Sequence, residues 1–224
     1  MQKYYKLLSK EMTSHNNTKW EIGVPISILK EGNTMCSGEV LHCYNHPLLA
    51  VFLNPIHANI KEPRLFEIEV DKIVNSDGLK FASKSQTLLK EIPLPEISLQ
   101  KKIEIGIKIV KTVNKNEKWN LWADQWLSGE NRSITAADAA AYAAANAADA
   151  AANAAYAAAA YAAAAYAAGY AAGYAAAAAG YAANAYAADA ATYAATAAAN
   201  AAGYAADRNE FNAQLINIIE EILE

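Results

Sequence analysis

Cys36, His42, Cys43 and His46 fall within eleven residues, with His57 a short way on. Thiolates and imidazoles at that density are zinc ligands when they converge. The spacing matches no paired Cys/His knuckle, however, and His42 and Cys43 are neighbours, which on a strand point to opposite faces. The alternative is a buried, reduced cysteine pair with a hydrogen-bonded histidine. Cys43 as a nucleophile with His42 or His46 as base would need an orienting acid and an oxyanion hole, and no motif supplies either. Glu67 and Glu69 share one face of a strand and are carboxylates of the kind that do acid–base work. Solvent-facing strand positions are the preferred account of both. Glycine-rich phosphate loops of the G-x-G-x-x-G or Walker type are absent from the sequence, and no cofactor is expected.

Two groups of aromatic residues complete the candidates. Trp119, Trp122 and Trp126 repeat at helical spacing, the pattern of a packed face or of a binding plate. Between Ala136 and Ala206, 48 of 71 residues are alanine and 10 are tyrosine. Tyrosine gives rigid contact area at low entropic cost. Tyr142, Tyr156, Tyr161, Tyr166, Tyr170, Tyr174 and Tyr181 are therefore the expected partner-binding residues, unless they only space alanine helices.

The elements that must position these residues follow from periodicity. Residues 2–8 read as a strand, 20–29 as a strand kinked at Pro25, and 40–44 as a short strand. From Pro47 to Leu53 the pattern is helical, with Asn54-Pro55 as the stop. Phe66, Ile68 and Val70 alternate with Glu67 and Glu69, a half-buried strand. A turn at Ser76-Asp77-Gly78 precedes short strands near 79–82 and 86–92. Leu99, Ile103, Ile107, Val110 and Val113 predict an amphipathic helix capped by Ser98. Residues 117–127 predict another, ending at Gly129.

Alanine has the highest helix propensity, so the Ala/Tyr-rich stretch is predicted helical, opened by a capping box at Thr135 and Asp138. Asp138, Tyr142, Asn146, Asp149, Asn153 and Tyr156 lie within roughly 80° on a helical wheel. Gly169, Gly173 and Gly180 predict a break near 169–181 and an antiparallel pair or bundle, with tyrosine rings filling the seams. One long rod pairing with a second copy is the rival. Phe211, Leu215, Ile218, Ile219 and Ile222 give the last helix its apolar face. The expected fold class is α+β: an antiparallel α+β domain over 1–132, an Ala/Tyr-rich helical hairpin or bundle over 133–207, and an amphipathic helix over 208–224.

Charge excludes some functions. Residues 1–132 carry 18 basic and 15 acidic residues and 133–224 carry 1 and 8, a mild asymmetry with a total of −4. Neither half has the basic face of a nucleic-acid binder. Polar residues interrupt the alanine run too often for a membrane span. With only two cysteines and no basic-then-apolar leader, the expected location is cytoplasmic.

The stretches Met35-Cys36-Ser37-Gly38, His42-Cys43, Pro47, Arg64 to Val70 and Lys80-Phe81-Ala82-Ser83-Lys84 resemble a small domain of unknown function common in phage and bacterial genomes. Its members often carry an Ala-rich tail. The resemblance implies no catalytic residues. It implies a non-catalytic interaction protein, such as a phage-encoded inhibitor of a host defence protein, binding through the Ala/Tyr helices and open to self-association through them. A fainter similarity, from His46 to Ala50 ahead of a Glu-bearing strand, is to ADP-ribosyltransferase-like folds. That leaves a small-ligand or nucleotide binder, or a degenerate transferase, using the cleft near His42, Cys43 and Glu67. Ice binding by an Ala-rich helix is the remote alternative.

Overall fold

The computed structural model describes residues 3–154, 170–177, 179, 190, 193–194, 196–198 and 208–224. Two compact units divide the chain, Met1–Glu96 and Ile97–Glu224. The first is β-rich and the second, in its described residues, helical, which makes the chain α+β.

The first unit holds two antiparallel sheets. Strands β1 (Tyr4–Leu8), β4 (Arg64–Val70), β7 (Ser85–Ile92) and β2 (Pro25–Ser27) pair in that order, and β3 (Leu41–Cys43), β6 (Phe81–Ser83) and β5 (Ile73–Ser76) make the other sheet. Tyr4, Leu8, Phe66, Ile68 and Leu88 of the larger sheet meet Leu41 and Cys43 of the smaller in one buried core with Trp20. Period two puts Lys6 on the same face as Tyr4 and Leu8. The sheets are also joined through backbone, because Tyr5 and Tyr44 exchange N–H···O bonds of 2.8 and 2.9 Å.

Three details depart from the sequence prediction. The expected 20–29 strand shrinks to β2, because the chain turns at Gly23 (φ +79°) after Ile22 touches Leu88. Edge strand β5 is short and half-buried, with no alternation strong enough to announce it. Helix α1 (Pro47–His57) runs through Asn54-Pro55 instead of stopping there. Pro55 sits in the last turn, where its missing N–H costs one bond. The actual stop is built by Asn54, whose carbonyl accepts from Ala58 and Asn59 (3.1 and 2.6 Å) and whose amide side chain clasps Ile60 N–H and C=O at 3.1 and 3.0 Å.

In the second unit, Ser98 caps α2 (Leu99–Val113) by accepting from Lys101 N–H, and Asn116 caps α3 (Glu117–Ser128), which ends at Gly129 with φ +82°. The unit therefore begins at 97, and α2 and α3, expected within a domain ending at 132, belong to it. Helix α4 (Ile134–Ala154) opens two residues earlier than the expected box: Ser133 Oγ, not Thr135, accepts from Ala136 N–H at 3.2 Å. Residues 170–177 are helical, so Gly173 lies inside a helical run; Gly169 and Gly180 lie outside the described residues.

Trp119 Nε1 donates to Ala172 O at 2.9 Å, which sets the helical 170–177 run against α3. Alanine faces are buried at helical steps, at Ala137, Ala140 and Ala144 and again at Ala171, Ala172, Ala175, Ala176 and Ala179. Helix α5 (Arg208–Leu223) buries Phe211, Leu215 and Ile219 and packs on α2, where Lys108 pairs with Glu221 at 2.8 Å. No helix among the described residues is long and apolar enough to cross a membrane.

Candidate functional site

A cavity of about 380 Å³ opens in the first unit. Strand β1 supplies Lys6 and Leu7, the 14–18 turn supplies Ser14, His15, Asn16 and Thr18, and β3 with its extension supplies Leu41, His42 and Tyr44. The end of α1 adds His57, Ala58 and Ile60, and the β5–β6 turn adds Lys80. Ile28 and the 36–40 segment, with Cys36, Ser37, Gly38 and Val40, make the remaining wall.

That wall is a long loop held by specific bonds. Lys84 Nζ donates to the carbonyls of Lys30 (2.9 Å), Glu39 (2.7 Å) and Gly32. Glu39 Oε2 accepts from Thr34 N–H at 2.9 Å, and Ser37 Oγ donates to Thr34 O at 2.7 Å. Gly32 has to be glycine: its φ is +96°, and a Cβ there would run into the Glu39 carboxylate. At Gly38 a Cβ would meet nothing within 4 Å.

The electrostatics are one-sided. Lys6 is buried; its Nζ donates to His42 O (2.7 Å) and Gln86 Oε1 (3.0 Å) and sits 4.6 Å above the Trp20 ring. Burial pulls its pKa down to about 8, so it is still mostly charged at neutral pH. Lys80 is fixed by the turn before it, where Asp77 Oδ1 accepts from the N–H groups of Leu79 and Lys80 at 3.0 and 2.8 Å. His42 is pushed down to about 4 by burial and then by the Lys80 and Lys6 ammoniums. His57 is likewise pushed down to about 4 by burial and then by Lys80. Both are neutral imidazoles at pH 7. His42 Nε2 accepts from Cys36 N–H at 3.1 Å, which leaves its proton on Nδ1. Tyr44 stacks on His57 (14° between planes) and its hydroxyl lies 3.2 Å from Nδ1. Burial raises the Tyr44 pKa, so that hydroxyl stays protonated. None of the described lining residues is Asp or Glu. Two ammoniums, neutral imidazole and hydroxyl groups and an apolar wall are equipped to receive an anion on a small organic body.

The four suggested metal ligands do not converge. Cys43 is buried with its Sγ donating to Phe81 O at 3.6 Å, and burial pushes its pKa up to about 12. His46 caps α1 instead, its Nδ1 accepting from Leu48 N–H at 3.3 Å. Only Cys36 and His42 reach the cavity. No group of three or more His, Cys, Asp or Glu among the described residues is placed to hold a metal. Cys43 is thus no nucleophile. Glu67 does not line the cavity either: Lys3 and Lys90 hold its carboxylate at 3.4 and 3.6 Å.

Trp119, Trp122 and Trp126 are buried, so they are core and not a plate. Tyr142 is 71% exposed, pointing away from the alanine seam it was expected to fill. Tyr170 and Tyr174 are also exposed, and Tyr174 stacks on Tyr193 at 5.5 Å. Tyr156, Tyr161, Tyr166 and Tyr181 lie outside the described residues. Sequence reasoning missed Lys6, Lys80 and Tyr44. Lys6 had a signal, a lone lysine inside the otherwise apolar strand Tyr4–Leu8.

Residues 2–100 match the family model described as a domain of unknown function, DUF7666. The match covers the unit that carries the cavity. No curated protein matches the chain, and no solved structure does.

Proposed function

We propose that the first unit is a binding module for a small anionic ligand, a phosphate-bearing compound of nucleotide-like size, held without catalysis. The supporting observation is a cavity that collects Lys6, Lys80 and two neutral histidines with no carboxylate among its described lining. Its volume suits a small organic molecule. Among phosphate-bearing and uncharged probes (pyrophosphate, a nucleoside monophosphate and its nucleoside), thermal shift and calorimetry should register only the charged ones. A probe at a hundred times its Kd stabilises by about 2.7 kcal/mol. Gly38→Phe fills the cavity from a position with open space, so it should abolish binding while leaving the melting temperature near wild type. Equal binding of the uncharged nucleoside, or binding that survives both Gly38→Phe and Lys80→Met, would refute the assignment.

A second reading concerns the helical unit, where the exposed rings of Tyr142, Tyr170, Tyr174 and Tyr193 favour a protein-binding surface. The resemblance noted from the sequence makes a host protein the partner, with the chain a phage-encoded inhibitor. Under that reading, Tyr142→Ala with Tyr174→Ala removes the partner recovered by wild type while helicity by circular dichroism is unchanged. A partner retained by the double variant counts against this surface. Light scattering separates self-association through the alanine faces from capture of another protein.

A further inference from the structure

Hydrogen bonds inside the cavity decide what its two half-buried imidazoles offer a ligand. His42 Nε2 accepts from Cys36 N–H, so the neutral ring carries its proton on Nδ1. The Tyr44 hydroxyl keeps its proton, and that hydroxyl has one partner among the described residues, His57 Nδ1 at 3.2 Å. This nitrogen therefore accepts, and the His57 proton sits on Nε2. Both rings line the cavity, and neither His42 Nδ1 nor His57 Nε2 has a hydrogen-bond partner among the described residues. Two free N–H donors are thus left beside the Lys6 and Lys80 ammoniums.

Most side-chain acceptors of the lining are already engaged. Cys36 Sγ accepts from Lys80 Nζ at 3.0 Å, Ser14 Oγ from Trp20 Nε1 at 2.8 Å and Ser37 Oγ from Glu39 N–H at 3.1 Å. No carboxylate is among the described lining, and its one amide, Asn16, is exposed on the 14–18 turn. A ligand oxygen that only accepts meets matched N–H groups here. One that carries a proton has to bury it unpaired, and a site that leaves a buried donor unsatisfied rejects its bearer strongly.

We propose that the cavity selects an oxyanion that has shed its last proton, a phosphate ester dianion or a sulfate, over an anion of equal charge that still carries one. This rests on the anion reading above and adds the determinant of its selectivity. Charge alone does not discriminate, because the two ammoniums attract both kinds of anion. The choice is made by Tyr44 and the Cys36 N–H, which act as positioning groups by each holding one imidazole in a donor tautomer.

The test titrates the full chain by calorimetry at mildly alkaline pH with three probes: sulfate, methyl phosphate and inorganic hydrogen phosphate. All three are tetrahedral dianions, and only the last carries a proton. Sulfate and methyl phosphate should each bind at least about tenfold more tightly than hydrogen phosphate. Methyl phosphate ahead of sulfate assigns the cavity to phosphate esters, and the reverse order assigns it to sulfates. Gly38→Phe should abolish the sulfate response, which places it in this cavity. Long-range proton–nitrogen NMR of the wild type at neutral pH should find His42 as the Nδ1–H tautomer and His57 as the Nε2–H tautomer. Hydrogen phosphate binding as tightly as the other two overturns the selectivity and leaves the anion reading standing, and so does the opposite tautomer at either ring. Sulfate binding that survives Gly38→Phe overturns the proposal as well. A chain that binds none of the three overturns both readings.

Discussion

His42 and His57 set the pH dependence of the first unit on its acid side. Each titrates near 4 in the fold against an ordinary 6.5. Between those values the unfolded chain binds more protons than the native one, so stability rises with pH across this window and is lost as pH falls from 6.5 toward 4. The melting temperature should drop over that interval, and His57→Gln should flatten the drop. An acid profile unchanged by the substitution would mean that His57 is not buried neutral. On the alkaline side two residues oppose each other. Lys6, depressed to about 8, gains the fold stability between 8 and 10.5, whereas Cys43, raised from 9 to about 12, costs stability as pH climbs from 9 upward. Cys43→Ala should therefore leave a stability that increases from pH 8 to 10, read by urea unfolding at fixed pH values. Cys43 also illustrates what was legible. Its pairing with His42 on opposite strand faces was readable from adjacency, but which of the two thiols faced a cavity was not. Cys36 meets the Lys80 ammonium from 44 residues away, and nothing local encodes that meeting.

Elements legible in the sequence were those whose ends carry their own chemistry. Ser98 opened α2 and Gly129 ended α3 where the pattern placed them, because a side-chain cap or a left-handed glycine is a local device. Ser98→Ala should cost about 1 kcal/mol in urea unfolding. The elements misread were decided by partners. Helix α1 outlasts Pro55 because Asn54 gathers the following loop, and the strand expected from Trp20 is cut short by where β7 lies. The 30–39 loop had no periodic signal, yet it builds a cavity wall because Lys84 reaches three of its carbonyls. Lys84→Met removes those charge-assisted bonds. It should cost about 2 kcal/mol and weaken anion binding further than that loss predicts, since the wall itself loosens. A Lys84→Met chain that binds pyrophosphate like wild type would show that the loop is not part of the site.

At the scale of the whole chain, two kinds of sequence make two kinds of unit. Residues 1–96 use sparse, varied apolar positions to close two sheets around two buried lysines, Lys6 and Lys80. Alanine in the second unit does a different job: its methyl faces let helices approach closely, and its bulkier tyrosines are left standing outward where the structure describes them. The low-complexity stretch dominates the composition and drew the functional expectation toward itself, while the cavity arises from residues scattered over β1, β3, α1 and two loops. Charge balance was equally uninformative, since the near-neutral total of −4 conceals a cavity with two lysines and no carboxylate in its described lining. The most direct measurement of that cavity's purpose is the titration of the His42 and His57 ring resonances by NMR, with and without pyrophosphate. A bound anion beside them should raise both values from about 4 toward 6 or above, and Gly38→Phe should erase the rise. Identical titration curves with and without pyrophosphate would contradict an anion site here.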